Sequence, residues 1–204
     1  TLREACGNAV RNVTASPDAG INPEEPFDVS PYAHAVFQFF LRNPISQELG
    51  RKFKVSFSSS DEDSALSYMH DIGFIAKIKV IDGRPVVGFK VMLAGGLGSQ
   101  PRLADVAFEF LEANKIIPYM ESIIRVFDRY GERSKRAKAR LKFLVKDLGF
   151  EGFNEIVAKE QLALSNQTVE ISTEGFNNTP DLSGIIAPKV QIDDVEAYEA
   201  WKSS

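Results

Sequence analysis

Two apolar, β-branched runs, Phe74 to Ile81 and Pro85 to Leu93, flank the tripeptide Asp82-Gly83-Arg84. A short turn holding Asp-Gly between two such runs is a hairpin signal, because glycine adopts the positive φ that a tight turn demands. The middle of the chain is therefore committed to an antiparallel pair. A hairpin alone cannot bury its apolar side chains, so other elements must cover it. Upstream, Arg51 to Ser60 alternates, with Phe53, Val55 and Phe57 pointing one way and Lys52, Lys54 and Ser56 the other, which is the period-two signature of a further strand. Gly95-Gly96-Leu97-Gly98 ends the second hairpin strand.

Helical signals surround these strands. Thr1 is placed as the N-cap of a short helix through about Val13, followed by an irregular stretch forced by Pro17, Pro23, Pro26, Pro31 and Gly20. Tyr32 to Arg42 reads as an aromatic-rich helix stopped at Asn43-Pro44, and Asp61-Glu62-Asp63 as the cap of a short helix to about His70. Ile116, Met120, Ile123 and Phe127 share one face of a helix that Gly131 terminates. Ser134 to Leu148 places Ala137, Leu141, Leu144 and Leu148 on one stripe, with Lys135, Lys138, Lys142 and Lys146 opposite and Gly149 as C-cap. A third helix runs from Phe153 to about Leu164, and weak strand signals follow at Thr168 to Ile171 and Lys189 to Ile192. The expected fold is α+β, a mixed β-sheet packed with helices. Residues 1–164 form one α/β domain, and residues 165–204 are a linker and the possible start of a following half.

Composition narrows the function. At 204 residues, 44% hydrophobic and 25% charged, the chain is long enough to bury a core. No apolar run reaches the length of a membrane span, so no membrane role is expected. The single cysteine, Cys6, rules out an internal disulfide framework and any all-cysteine metal site made by this chain alone, and suits a reducing cytoplasm. Cys6 itself reads as a small buried residue, and no metal site is expected from His34 or His70. The start at Thr1, with no charged-then-apolar leader, suggests a piece cut from a longer protein. The net charge of −4 argues against nucleic-acid binding, yet Arg129, Arg133, Lys135, Arg136, Lys138, Arg140 and Lys142 face one neighbouring acid, Glu132.

Three local features carry chemistry. Lys52 and Lys54 lie on one strand face, where like charges repel; they either protect an exposed edge or clamp a small anion, with lysine as both point charge and proton donor. Arg11 precedes the proline-rich loop and offers a guanidinium fork suited to oxyanions. Gly95-Gly96-Leu97-Gly98 lacks the spacing of a nucleotide fingerprint and reads as a turn or as a set of exposed amides.

Read in order, Cys6-Gly7-Asn8-Ala9-Val10-Arg11-Asn12-Val13, Gly50-Arg51-Lys52-Phe53-Lys54, Asp71-Ile72-Gly73-Phe74, Gly95-Gly96-Leu97-Gly98 and Gly131-Glu132-Arg133 resemble the sirohaem and iron-sulfur reductases of nitrite and sulfite. The resemblance covers about Thr1 to Val157. It implies that Arg11, Lys52 and Lys54 hold the oxyanion over the sirohaem iron and act as catalytic residues. It also implies that Asn12, Arg51, Gly95, Gly96, Gly98 and Arg133 contact the cofactor. Family members hold a [4Fe-4S] cluster with cysteines in a later section that this chain lacks. Sirohaem and [4Fe-4S] are accordingly expected in the full-length parent, with neither bound by the fragment alone, which would be inactive. Sulfite or nitrite is the implied substrate, and a ferredoxin or flavoprotein the implied electron donor. The competing reading is a non-catalytic anion- or RNA-binding module that uses the basic helix.

Overall fold

The computed structural model describes residues 7–176 and 192–203. Its frame is a five-stranded mixed sheet with strands in chain order: β1 (Val10–Ala15), β2 (Phe53–Ser58), β3 (Ile72–Ile81), β4 (Arg84–Leu93) and β5 (Asp105–Glu112). β1, β2 and β3 run parallel, whereas β3, β4 and β5 run antiparallel. The α+β expectation holds. The hairpin closes through Asp82 (φ 50°) and Gly83 (φ 75°), two positive values that match the right-handed twist of the flanking strands, with Ile81 facing Arg84.

Helices α1 (Ser30–Phe40), α2 (Ile116–Tyr130), α3 (Leu141–Leu148), α4 (Phe150–Leu162) and α5 (Val195–Lys202) complete the described chain. The period-two pattern of β2 is realised: Phe53, Val55 and Phe57 are fully buried. They join Ile72, Phe74, Phe89, Val91 and Leu93 in a core closed by Val36 and Phe40 of α1 and Ile116, Met120, Ile123 and Phe127 of α2. The expected apolar face of α2 and its stop at Gly131 are both present. Phe89 sits at the centre of an aromatic group, its ring 5.2 Å from Tyr32, 5.4 Å from Phe27, 5.5 Å from Phe57 and 5.7 Å from Phe74.

The other face of the sheet is covered by loops. Ile75, Met92 and Ala104 form a small second cluster beside Tyr68. The Ala104 amide donates to the Tyr68 carbonyl and the Ala94 amide to the Asp71 carbonyl, which stitches the two covering segments together. Lys54 lies on this face, since successive strand residues point to opposite sides and its neighbours Phe53 and Val55 point into the helical core.

Four expectations are corrected. The segment to Val13 is not helical where it is described: Val10–Ala15 is a strand, since Val10 and Val13 suit a sheet and β2 offers a free parallel edge. Thr1 and Cys6 lie outside the described residues. The Asp61-to-His70 helix shrinks to one turn at Ser67–Met69, because the Asp63 carboxylate binds the Ser67 amide and the Ser58 hydroxyl instead of nucleating a longer helix. The helix expected from Ser134 begins only at Leu141, preceded by a single tight turn at Arg136–Lys138. β5 went unread in the sequence, although Val106, Phe108 and Phe110 alternate there. The signal at Thr168 to Ile171 forms no strand, while the one at Lys189 to Ile192 falls almost wholly outside the described residues. No helix among the described residues is long and apolar enough to cross a membrane.

Candidate functional site

The loop-covered face holds a cleft of about 450 Å³. Arg51, Lys52 and Lys54 enter it from the start of β2, while Leu66, Met69 and His70 come from the segment before β3. Leu97, Gly98, Ser99 and Gln100 form the wall after β4, and Arg136, Arg140, Lys142 and Phe143 close it from the entry to α3. Six cations and no acidic side chain appear among these described lining residues. In so small a volume the charges repel and their charged forms are disfavoured. The Lys52 ammonium is held below the usual lysine range, first by burial and then by Arg11, Lys54, Arg140 and Arg51. Burial, then Arg136, Arg140 and Arg11, lowers the Arg51 guanidinium in the same way.

The six cations are not equivalent. Arg140 is committed to Asp71, which is wholly buried: its Nε lies 3.1 Å from Oδ1, and its Nη2 lies 2.9 Å from Oδ1 and 2.8 Å from Oδ2. The Lys54 backbone amide donates to the same Oδ2 at 2.9 Å. Burial lifts the Asp71 carboxyl above the ordinary aspartate range, while Arg140 and the Lys54 amide pull it back. Lys142, only 4% exposed, spends its ammonium on the carbonyls of Gly96, Leu97 and Gln100, so it lies inward rather than on the solvent stripe expected of it. Burial and Arg140 hold its ammonium below the usual range. Arg51, Lys52, Lys54 and Arg136 form no ion pair with any described residue. Among the described residues these four are the cleft cations without an ion-pair partner.

The expected site residues separate accordingly. Arg11 does not line the cleft, but it is close enough to Lys52 to weigh on that ammonium, and its buried Nε has no hydrogen-bond partner. It sits at an irregularity of β1 between Val10 and Asn12. Asn12 is the register partner of Lys54 and is exposed. Arg133 is not brought to the cleft: it donates to the Glu48 carbonyl at 3.0 Å and to the Asp128 carbonyl and carboxylate at the end of α2. Among the three glycines only Gly98 lines the cleft. Gly95 is required by packing, since a Cβ there would lie 2.3 Å from the Tyr68 carbonyl oxygen. The Gly96 amide already donates to Arg102.

Sequence reasoning overlooked Asp71 as a buried partner and Lys142 as an inward clamp. A lone aspartate opening an apolar strand was the available signal for the first. His70, read as structural, lies on the cleft wall with Nδ1 2.9 Å from the Leu66 carbonyl. The described residues contain no grouping of three or more His, Cys, Asp or Glu that could hold a metal.

Comparison with known proteins follows the same lines. Residues 6–164 match the model of the nitrite and sulphite reductase 4Fe-4S domain. The chain is 36% identical over 159 residues to sulfite reductase (ferredoxin) 1 of Mycolicibacterium paratuberculosis, covering 78% of this chain and 28% of that protein. It is 32% identical over 171 residues to the assimilatory ferredoxin-dependent nitrite reductase of Haloferax mediterranei, covering 82% and 29% respectively. The solved structure of the Mycobacterium tuberculosis NirA protein superposes with a TM-score of 0.68 at 29% identity, over 83% of this chain and 30% of that one. The chain thus spans less than a third of the length of these relatives.

Proposed function

Because this chain belongs to the nitrite and sulphite reductase 4Fe-4S domain family, we propose that its cleft is the oxyanion-binding wall of an enzyme that reduces sulfite to sulfide or nitrite to ammonia. The observation that carries this reading is the group of cations around the cleft, Arg51, Lys52, Lys54 and Arg136, with no acid among the described residues to neutralise them. Unpaired charges held side by side are costly, and an anion removes the cost. In this proposal Lys52 and Lys54, with Arg11 behind them, hold the oxyanion. The lowered range of Lys52 also suits it to give up a proton as oxygen leaves as water.

The residues fit the implied cofactor as well. Sirohaem is rich in carboxylates, and a cleft whose charged lining residues are all cationic, with a buried, unpartnered Arg11 Nε nearby, suits such an acceptor-rich group. Arg51 and Arg136 would pair with those carboxylates, while Arg133 and the Gly96 amide are already engaged elsewhere. When bound, sirohaem coupled to a [4Fe-4S] cluster would supply the electrons. The cysteines for that cluster would come from another part of a longer protein, whose donor would be a ferredoxin or flavoprotein. We also place the domain boundary near residue 164, with 165–204 leading toward the remainder, and the protein in the cytoplasm.

A basic RNA-binding helix is not favoured, because residues 134–140 are not part of α3 and Lys142 is buried. The test is calorimetric titration of the full 204-residue chain with nitrite and sulfite. Saturable binding that weakens with salt, and weakens about tenfold or more in Lys52→Met, is the expected result. Affinity unchanged in Lys52→Met and Lys54→Met would sink the proposal.

A further inference from the structure

We propose that Asp71 sets the number of free cations in the cleft: it withdraws Arg140 from the oxyanion-binding set and holds it as a strut between β3 and the entry to α3. This inference rests on the proposed oxyanion site and assigns a specificity-determining positioning residue within it. Asp71 is the one acid among the buried residues described, and its partner Arg140 lines a cleft whose charged residues are all cations. Both its oxygens are occupied. Oδ1 accepts from Nε and Nη2 of Arg140, and Oδ2 accepts from Nη2 and from the Lys54 amide. The fork fixes the guanidinium plane, and the pair is close to fully desolvated, with side-chain exposures of 14% for Arg140 and 0% for Asp71. One carboxylate thereby ties the strand that carries Lys54 to the turn that carries Arg140.

The surroundings show why the guanidinium stays there. Gly96 lies against it, such that a Cβ at that position would come within 3.2 Å of Arg140 Nη2. Lys142, two residues on, grips the Gly96, Leu97 and Gln100 carbonyls, so the chain from 140 to 142 braces the cleft on two sides. The consequence is selective. Every added free cation raises affinity for any anion, including abundant phosphate, whereas a site for a small oxyanion gains from few and fixed charges. By pairing with Arg140, Asp71 offsets that guanidinium's charge and keeps it as structure, so Arg140 weighs on the site less than a free cation would.

The test compares the 204-residue wild-type chain with Asp71→Asn and with the double variant Asp71→Asn, Arg140→Gln. A dicarbonyl arginine reagent with peptide mass mapping reads whether Arg140 is shielded, and phosphate titration at low and high salt reads the free charge. In the wild type Arg140 should react far more slowly than Arg136. In Asp71→Asn it should react at a rate close to that of Arg136, and phosphate affinity should rise roughly 3- to 30-fold at low salt, with a steeper salt dependence. The double variant removes both charges and should return phosphate affinity to within about threefold of the wild type. Should Asp71→Asn fail to fold, the double variant still decides, because a loss of tenfold or more there would make Arg140 an anion ligand and overturn the proposal. Arg140 remaining shielded in Asp71→Asn would overturn it too. A wild-type chain that binds no anion would defeat the proposed function alone, and the reagent map would still judge Asp71.

Discussion

Replacing Lys142 with methionine removes a buried charge, and the structure sets the size of the effect. The ammonium donates to Gly96 and Leu97 carbonyls at 3.2 Å each and, more closely, to Gln100. Three bonds from a charged donor are worth roughly 5–9 kcal/mol in gross terms, at about 1.5–3 kcal/mol each. Against this stands the cost of burying the ammonium, which is several kcal/mol in real proteins and which methionine does not incur. The orphaned acceptors also recover unevenly. Leu97 and Gln100 are exposed, so their carbonyls regain water, and the Gly96 carbonyl keeps the Arg102 amide at 2.9 Å. The net loss should therefore be about 1–3 kcal/mol of unfolding free energy, well below the gross sum. Urea unfolding followed by circular dichroism measures it. Hydrogen exchange should show the local consequence, faster exchange of the amides from 97 to 100 with α2 unaffected. A loss above about 5 kcal/mol would mean that the bonds outweigh desolvation, and unchanged exchange at 97–100 would mean that Lys142 does not hold that wall.

Two further outcomes follow from the core and from the charge cluster. Phe89→Ala should cost about 3–5 kcal/mol, because a fully buried ring contacting four aromatic neighbours leaves a cavity that the sheet cannot close; a urea-derived loss below about 2 kcal/mol would contradict this. The pH dependence follows from Lys52, whose folded-state range is lowered by burial and by neighbouring cations. Between that lowered value and the ordinary lysine value the unfolded chain holds the proton more tightly, so this group makes stability rise with pH across the window. Nitrite affinity should fall as pH rises through the lowered Lys52 range, and Lys52→Arg should move that fall to higher pH. Identical pH profiles for the two chains would refute the assignment.

What could be read from sequence was the chemistry that acts over a few residues. Asp82-Gly83 specifies its turn through two local φ values, β2 declares its faces by alternation, and α2 declares its buried side by Ile116, Met120, Ile123 and Phe127. What failed was decided at long range. β1 is a strand because β2 leaves an edge for it, and that edge is some forty residues away along the chain. The leucine stripe from Ala137 to Leu148 suggested one continuous helix, but Arg140 is drawn to Asp71 and Lys142 to the wall after β4, so regular structure starts only at Leu141. The same partners explain the uneven fate of the expected site residues. Lys52 and Lys54 were identifiable because alternation with Phe53 and Val55 fixes their common face, and Arg51 only through the family resemblance, whereas Arg133, implied by the same resemblance, is held at Glu48 and Asp128 instead.

The number of positive residues in the basic region therefore says little about anion binding until each cation is matched with what neutralises it. Arg133 is satisfied by Asp128, Arg140 by Asp71, and Lys142 by backbone oxygen, so all three serve the fold. Arg51, Lys52, Lys54 and Arg136 remain without a described ion-pair partner and around one cleft, where mutual repulsion lowers Lys52 and Arg51 together. A fold that needed these charges only for solubility would have spread them over open surface, where water screens them at little cost. Holding them together beside a buried carboxylate that pairs with a different cation accords with the proposed oxyanion site, where the missing negative charge would arrive with a ligand and binding would relieve the repulsion among the cleft cations.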